Sequence, residues 1–109
     1  MAITYKVLGQ SNPAANTANT LYTVPISTSA VISTITICNL SDNEAIYKLA
    51  VRTNGAALEN KHYIVYNNPV SGNSLVKLSL GITLGPADVL TCNASTSSVS
   101  FNVFGSEIS

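Results

Sequence analysis

The chain has 109 residues, 46% of them hydrophobic and only 9% charged, and its five basic and five acidic side chains cancel. That is enough apolar material for one domain and too little chain for two ordinary ones. The low charge content, with no excess of either sign, argues against a disordered tail, a polybasic membrane binder and an electrostatic nucleic-acid binder.

Period-two patterning predicts an all-β fold. A first strand is expected over 3–8, followed by a polar stretch over 9–19 that contains Pro13. With no regular pattern after Leu8, residues 1–19 are a candidate N-terminal arm of the kind that orders on a neighbouring molecule. A short strand over 21–24 stops at Pro25. The Ile/Thr-rich stretch over 31–38 then supplies β-branched side chains that suit a pleated surface. Residues 39–44 form a turn region. Ala45, Tyr47, Leu49 and Val51 alternate with Lys48 and Arg52, as a strand with one buried and one wet face requires. Asn54-Gly55 is a strong turn dipeptide, and 56–61 has room for one helical turn at most.

A further strand is expected over 62–66. Beyond it, Val76, Leu78 and Leu80 oppose Lys77 and Ser79, a short strand covers 88–92, and Val99, Phe101 and Val103 oppose Ser98, Ser100 and Asn102. The turn signals Asn67-Asn68-Pro69, Ser71-Gly72-Asn73 and Gly85-Pro86 separate these segments. About eight strands at this spacing predict a single antiparallel β-sandwich over residues 1–109, of jelly-roll or immunoglobulin-like topology. The two cysteines, Cys38 and Cys92, are spaced like the inter-sheet disulfide of immunoglobulin domains. The chain has no Trp, however, and position 90 is Leu where that fold carries its corner Tyr. The start of the sequence lacks a basic region followed by an apolar run, so synthesis in a cytoplasm, no general export and two reduced thiols are expected. No stretch approaches the roughly 18 apolar residues of a membrane span.

Chemistry is sparse. The one histidine is His62, so any Ser–His or Cys–His pair has to use it, and its strand setting beside Tyr63 and Tyr66 reads as packing or interface. One His and two distant cysteines give no zinc spacing. Ser41-Asp42-Asn43-Glu44 clusters oxygen ligands but lacks the EF-hand pattern and reads first as a turn. No Gly-rich phosphate loop is present. No catalytic, cofactor-binding or metal residues are assigned, no cofactor is expected, and the chain is read as a non-enzyme. Asn39-Leu40-Ser41 and Asn93-Ala94-Ser95 match the glycosylation pattern and are expected to be idle.

What remains is surface. Asn, Ser and Thr make up about a third of the chain. A surface of amides and hydroxyls is less costly to dehydrate than one of ions, which favours a chain packed against neighbours. Lys48 and Arg52 share the wet face of one strand, with His62, Tyr63 and Tyr66 expected close by. These five are the candidate interface residues, suited to an acidic partner. The plainer reading is of solvated charges that keep a sheet face soluble and oppose edge pairing.

Several stretches carry a resemblance when taken in order. Thr20-Leu21-Tyr22-Thr23-Val24-Pro25 leads to a strand ending in Cys38-Asn39-Leu40-Ser41. Then come Tyr47-Lys48-Leu49-Ala50-Val51-Arg52 and Lys61-His62-Tyr63-Ile64-Val65-Tyr66. Leu80-Gly81-Ile82-Thr83-Leu84 precedes a close at Phe104-Gly105-Ser106-Glu107-Ile108. This whole-chain pattern resembles small virion structural proteins of tailed bacteriophages, particularly those infecting cyanobacteria. The resemblance implies a non-enzymatic virion component with no active-site residues to carry over. One branch is a capsid decoration (cement) protein on the outer head, whose partners are the major capsid protein and copies of itself in a homo-oligomer. The other is a tail, baseplate or fibre-associated module that contacts the host surface and partners tail proteins. Neither implies a nucleic-acid or membrane partner. A carbohydrate-binding sandwich using Tyr63, Tyr66 and nearby Asn residues is a third reading, weakened by the absence of Trp.

Overall fold

The computed structural model describes residues 2–79 and 81–109; Met1 and Leu80 lie outside the described residues, so the alternation expected to run through Leu80 is followed only to Ser79. The strands are β1 (Ile3–Ser11), β2 (Asn19–Thr23), β3 (Ser29–Asn39), β4 (Ala45–Arg52), β5 (Tyr63–Val70), β6 (Leu75–Leu78), β7 (Ile82–Leu84), β8 (Val89–Ala94) and β9 (Val99–Ile108). They form two antiparallel sheets. The first runs β1-β9-β3-β6, with β7 also paired to β3, and the second runs β2-β8-β4-β5. Two 3₁₀ turns, Thr53–Gly55 and Asn60–His62, flank residues 56–59, so the single helical turn expected over 56–61 is replaced by a short turn at either end.

The pairings are nested. β4 pairs with β5, β3 with β6 and β7, β2 with β8, and β1 with β9. The chain is thus one long hairpin ribbon folded over on itself. This is the jelly-roll topology, and it decides between the two sandwiches that the strand spacing allowed. The expected all-β sandwich is the observed one. β7, which raises the strand number among the described residues to nine, is three residues long, too short to display an alternation.

The core lies between the sheets. Ile32, Ile35 and Ile37 of β3 and Phe101 and Val103 of β9 face Tyr47 and Leu49 of β4 and Leu90 of β8, all essentially fully buried. Each such side chain contributes roughly 1.5–3 kcal/mol by leaving water. The Tyr47 and Phe101 rings meet edge to face at 6.3 Å, and the Tyr47 hydroxyl has no hydrogen-bond partner among the described residues. β1 and β2, the outer strands on one side of the two sheets, approach at Gly9. A methyl group there would overlap the Leu21 carbonyl oxygen, and the β1–β9 register shifts at the same place.

The stretch expected as a candidate arm is tied to the chain's own sheets. β1 pairs with β9 from Ile3 to Ser11, the Asn12 amide donates to the carbonyls of Ser97 (2.9 Å) and Val99 (2.7 Å), and the Asn16 N–H donates to Ala94. At the far end of β3, buried Asn39 closes the turn over 40–44. Its amide nitrogen donates to the Asn43 (2.7 Å) and Val70 (3.1 Å) carbonyls, and its Oδ1 accepts from the Ser41 N–H, the Ser41 hydroxyl and the Ser98 hydroxyl. A glycosylation acceptor needs an exposed amide, and this one is enclosed. Both thiols are free: Cys38 is on the outer face of the first sheet, while Cys92 points into the core from the second and burial pushes its pKa up to about 11.

Candidate interaction surfaces

The outer face of the second sheet carries the five residues singled out in the sequence, and the fold divides them. β4 sends Lys48 outward beside β5, where its Nζ sits 4.9 Å from the centre of the Tyr66 ring. Tyr66 in turn meets Tyr63 edge to face, with ring centres 4.9 Å apart and planes at 80°. The two rings and Asn60 line an open hollow. Cation–ring and ring–ring contacts of this kind contribute about 0.5–1.5 kcal/mol each and hold the side chains in place while Tyr66 remains 58% exposed. Lys48, Tyr63 and Tyr66 are therefore one cluster.

Arg52 and His62 are engaged elsewhere. The Arg52 guanidinium donates to the Thr91 hydroxyl (3.1 Å) and to the carbonyls of Gly55 (3.3 Å) and Ala56 (2.9 Å), so it holds the turn that follows β4. His62 is buried, with 6% of its surface exposed, and its Nδ1 accepts the Glu59 backbone N–H at 2.9 Å. The imidazole caps the Asn60–His62 turn rather than presenting itself to a partner. The alternation placed Lys48 and Arg52 on one face correctly but had no means of showing that one of them is spent on its own backbone. Lys48 over the Tyr66 ring also covers part of the surface a sugar would stack upon.

A second surface was not singled out in the sequence. On β1, the row Tyr5–Ser106–Val31 lies on the outside of the first sheet, because the neighbours of Val31, Ala30 and Ile32, face the core. Ile3 (51% exposed), Tyr5 (81%), Val7 (48%) and Val31 (36%) stand on this face, and the last three line a shallow open groove with Phe104. The alternation of Ile3, Tyr5 and Val7 with Thr4 and Lys6 is the signal that could have found it. Read by itself it suggests the opposite orientation, apolar side in and Lys6 out.

The reason is an ion pair at the rim of the sandwich. Lys6 turns toward the inner side and its Nζ lies 2.9 Å from Glu107 Oε1, while the other carboxylate oxygen accepts the Tyr22 hydroxyl at 2.6 Å. Glu107 belongs to β9 and Tyr22 to β2, so this contact ties the two sheets together. The Tyr22 hydroxyl and the Lys6 ammonium hold the Glu107 carboxyl below its ordinary range. Burial and the neighbouring Glu107 push the Tyr22 phenol well above its own. Among the described residues, no three His, Cys, Asp or Glu side chains come together in a metal-binding arrangement. Asp42, in the oxygen-rich turn, accepts from the Asn73 amide at 2.6 Å.

No family model matches the sequence, and no curated protein matches it either. A solved structure does share its fold. A chain in the structure of infectious bursal disease virus, Gx strain, superposes with a TM-score of 0.55 at 14% identity over 97% of this chain. A pentameric capsid protein isolated from metagenomic phage sequences matches with a TM-score of 0.41 at 18% identity over 95% of this chain. The present chain spans 32% of the first and 63% of the second. The first likeness is one of fold: a two-sheet β-sandwich shared across nearly the whole chain.

Proposed function

We propose that this chain is a non-enzymatic structural protein of a tailed-phage virion. In our reading it is a decoration protein that sits on the outer head surface and cements neighbouring capsomers. The observation that carries this is the superposition of 97% of the chain, as a jelly-roll sandwich, on a chain in a virus structure. The jelly roll is one of the standard ways to build a viral shell, though it also serves lectins and other proteins. The surface favours the shell. A neutral chain that displays an apolar face on one sheet and a cation–aromatic cluster on the other can pack against neighbours at little desolvation cost. The one imidazole is used as a turn cap, in keeping with a structural role.

On this reading residues 1–109 act as one β-sandwich domain. The partners are the major capsid protein and further copies of this chain, and many weak contacts sum to firm attachment through avidity. The chain is made in the host cytoplasm and ends in the particle. The test is the copy number per purified virion, by quantitative mass spectrometry against the major capsid protein. A ratio near one per capsid subunit, or a simple lattice fraction of it, is expected for cement. A few copies per particle would replace the head assignment with a tail, baseplate or fibre module, and absence from the particle would overturn the virion reading.

A further inference from the structure

β1 is an outer strand of its sheet and, among the described residues, pairs with β9 alone. Ala2 and Ser109 exchange both backbone hydrogen bonds, at 2.9 and 3.0 Å. In an antiparallel ladder bonded and non-bonded pairs alternate, so Thr4–Glu107 and Lys6–Gly105 are the bonded pairs that follow. Ile3, Tyr5 and Val7 therefore turn their N–H and C=O groups away from β9, toward the open edge. Their side chains stand at the same time on the exposed apolar face.

Proteins that stay monomeric usually blunt such an edge with outward charges, a proline or a bulge. β1 has no proline, and its single charge, Lys6, though half-exposed, is paired with Glu107 on the face opposite the apolar row. Its bulge comes only beyond Val7, where the strand bends against β2. Residues 3–7 are thus an unblocked edge. The segment is also self-complementary about Tyr5. Antiparallel pairing centred there sets Ile3 opposite Val7 and Thr4 opposite Lys6 of the other copy, and Tyr5 opposite its own counterpart. Apolar meets apolar, and the Lys6 stem lies opposite Thr4 with no like charge facing it. A centre at Lys6 would oppose two ammonium groups, which disfavours pairing, and a centre at Thr4 would leave Val7 beyond the end of the strand.

We infer that β1 pairs antiparallel with β1 of a second copy of this chain, across a two-fold axis at Tyr5, so that the two first sheets become one continuous sheet. The apolar faces of both copies then join into a single surface. The segment that read as an arm in the sequence meets its neighbour as an edge strand. Five residues a side make a small interface, so the isolated dimer is weak, dissociating at micromolar concentrations or above. It gains strength only where copies are already held close. The pairing is a property of the purified chain, so its failure leaves the virion reading untouched, and absence of the chain from particles leaves the dimer standing.

The experiment has two arms. In a Cys38→Ser background, Tyr5→Cys is compared with Ile3→Cys and Val7→Cys under mild oxidation. Bonded antiparallel pairs hold their Cα atoms about 5.5 Å apart, within disulfide reach, whereas positions 3 and 7 lie several residues from their own counterparts. Tyr5→Cys is expected to cross-link at least about tenfold faster than the other two; equal rates, or none, overturn the register. The second arm is sedimentation of the wild-type chain up to about 1 mM, beside Tyr5→Pro. The Tyr5 N–H is not used in the β1–β9 ladder, so proline is tolerated there and the far-UV circular dichroism is expected to be unchanged. Losing both central interchain hydrogen bonds and the ring contact is expected to raise the dimer dissociation constant roughly 100-fold. A wild-type chain that stays monomeric throughout, or a Tyr5→Pro chain that dimerises as well as wild type, overturns the inference.

Discussion

Replacing Asn39 by alanine removes a side chain that makes five hydrogen bonds and joins the end of β3 to the 40–44 turn, to β5 and to the loop before β9. Not all five count equally. The Ser41 and Ser98 hydroxyls can turn elsewhere, Ser98 to Thr96 at 2.6 Å, and the Asn43 carbonyl keeps the Ser41 hydroxyl at 3.0 Å. The Ser41 N–H is left without a partner, whereas the Val70 carbonyl keeps its place in the β4–β5 ladder opposite Ala45. A group stranded in this way costs about 1–3 kcal/mol and a bond lost from a carbonyl that keeps another about 1 kcal/mol, so the substitution is expected to cost roughly 2–3 kcal/mol. That is a large share of the ~5–15 kcal/mol by which a domain of this kind is stable. Equilibrium unfolding in urea at one fixed protein concentration is the assay. The midpoint should fall by roughly 2 M with an unchanged slope, while Asn68→Ala, at an exposed position, should stay within about 0.5 kcal/mol of wild type. A loss below about 1 kcal/mol for Asn39→Ala would mean that water replaces the amide and that the turn does not depend on it.

Tyr47→Phe removes a buried hydroxyl that has no partner while leaving the ring against Phe101, so stability should rise by about 1 kcal/mol or stay level in the same urea assay; a loss above about 1 kcal/mol would refute this. The Glu107 carboxyl is lowered by Tyr22 and Lys6, so its contribution is complete above the ordinary carboxyl range, near pH 4.3 or so, and is lost as pH falls through its lower native value. The stability gap between wild type and Glu107→Gln should therefore close on acidification from about pH 6 to pH 3, and a gap that does not change with pH would count against the contact. Cys38 should alkylate readily in the native chain. Cys92, in the core with its thiol pushed up to about 11, should react at least about 100-fold more slowly until the protein unfolds, and equal native rates would contradict the placement.

The alternation of Tyr47, Leu49 and Val51 with Lys48 and Arg52, and of Val99, Phe101 and Val103 with their polar neighbours, was by itself sufficient for an all-β sandwich and for much of its core. Residue spacing sets side-chain direction, and burial then selects the face. The Asn54-Gly55 turn was legible for a similar local reason, since both residues take positive φ, 56° and 71°. Pairing was not legible. The choice of β9, rather than β2, as the neighbour of β1 depends on contacts nearly the whole chain apart, which no local pattern encodes.

The same division runs through the candidate surfaces. Residue types at alternating positions placed Lys48 and Arg52 on a common outer face, whereas Tyr63 and Tyr66, three apart, would alternate to opposite faces and meet only because β5 shifts register against β4 between Val65 and Asn68. Only the tertiary structure showed Arg52 bound to its own turn, His62 buried as a cap and Lys6 drawn inward by Glu107. A side chain's chemistry is written in the sequence, but whether its polar groups remain available to a partner depends on which backbone groups and charges the fold brings within about 3 Å of them.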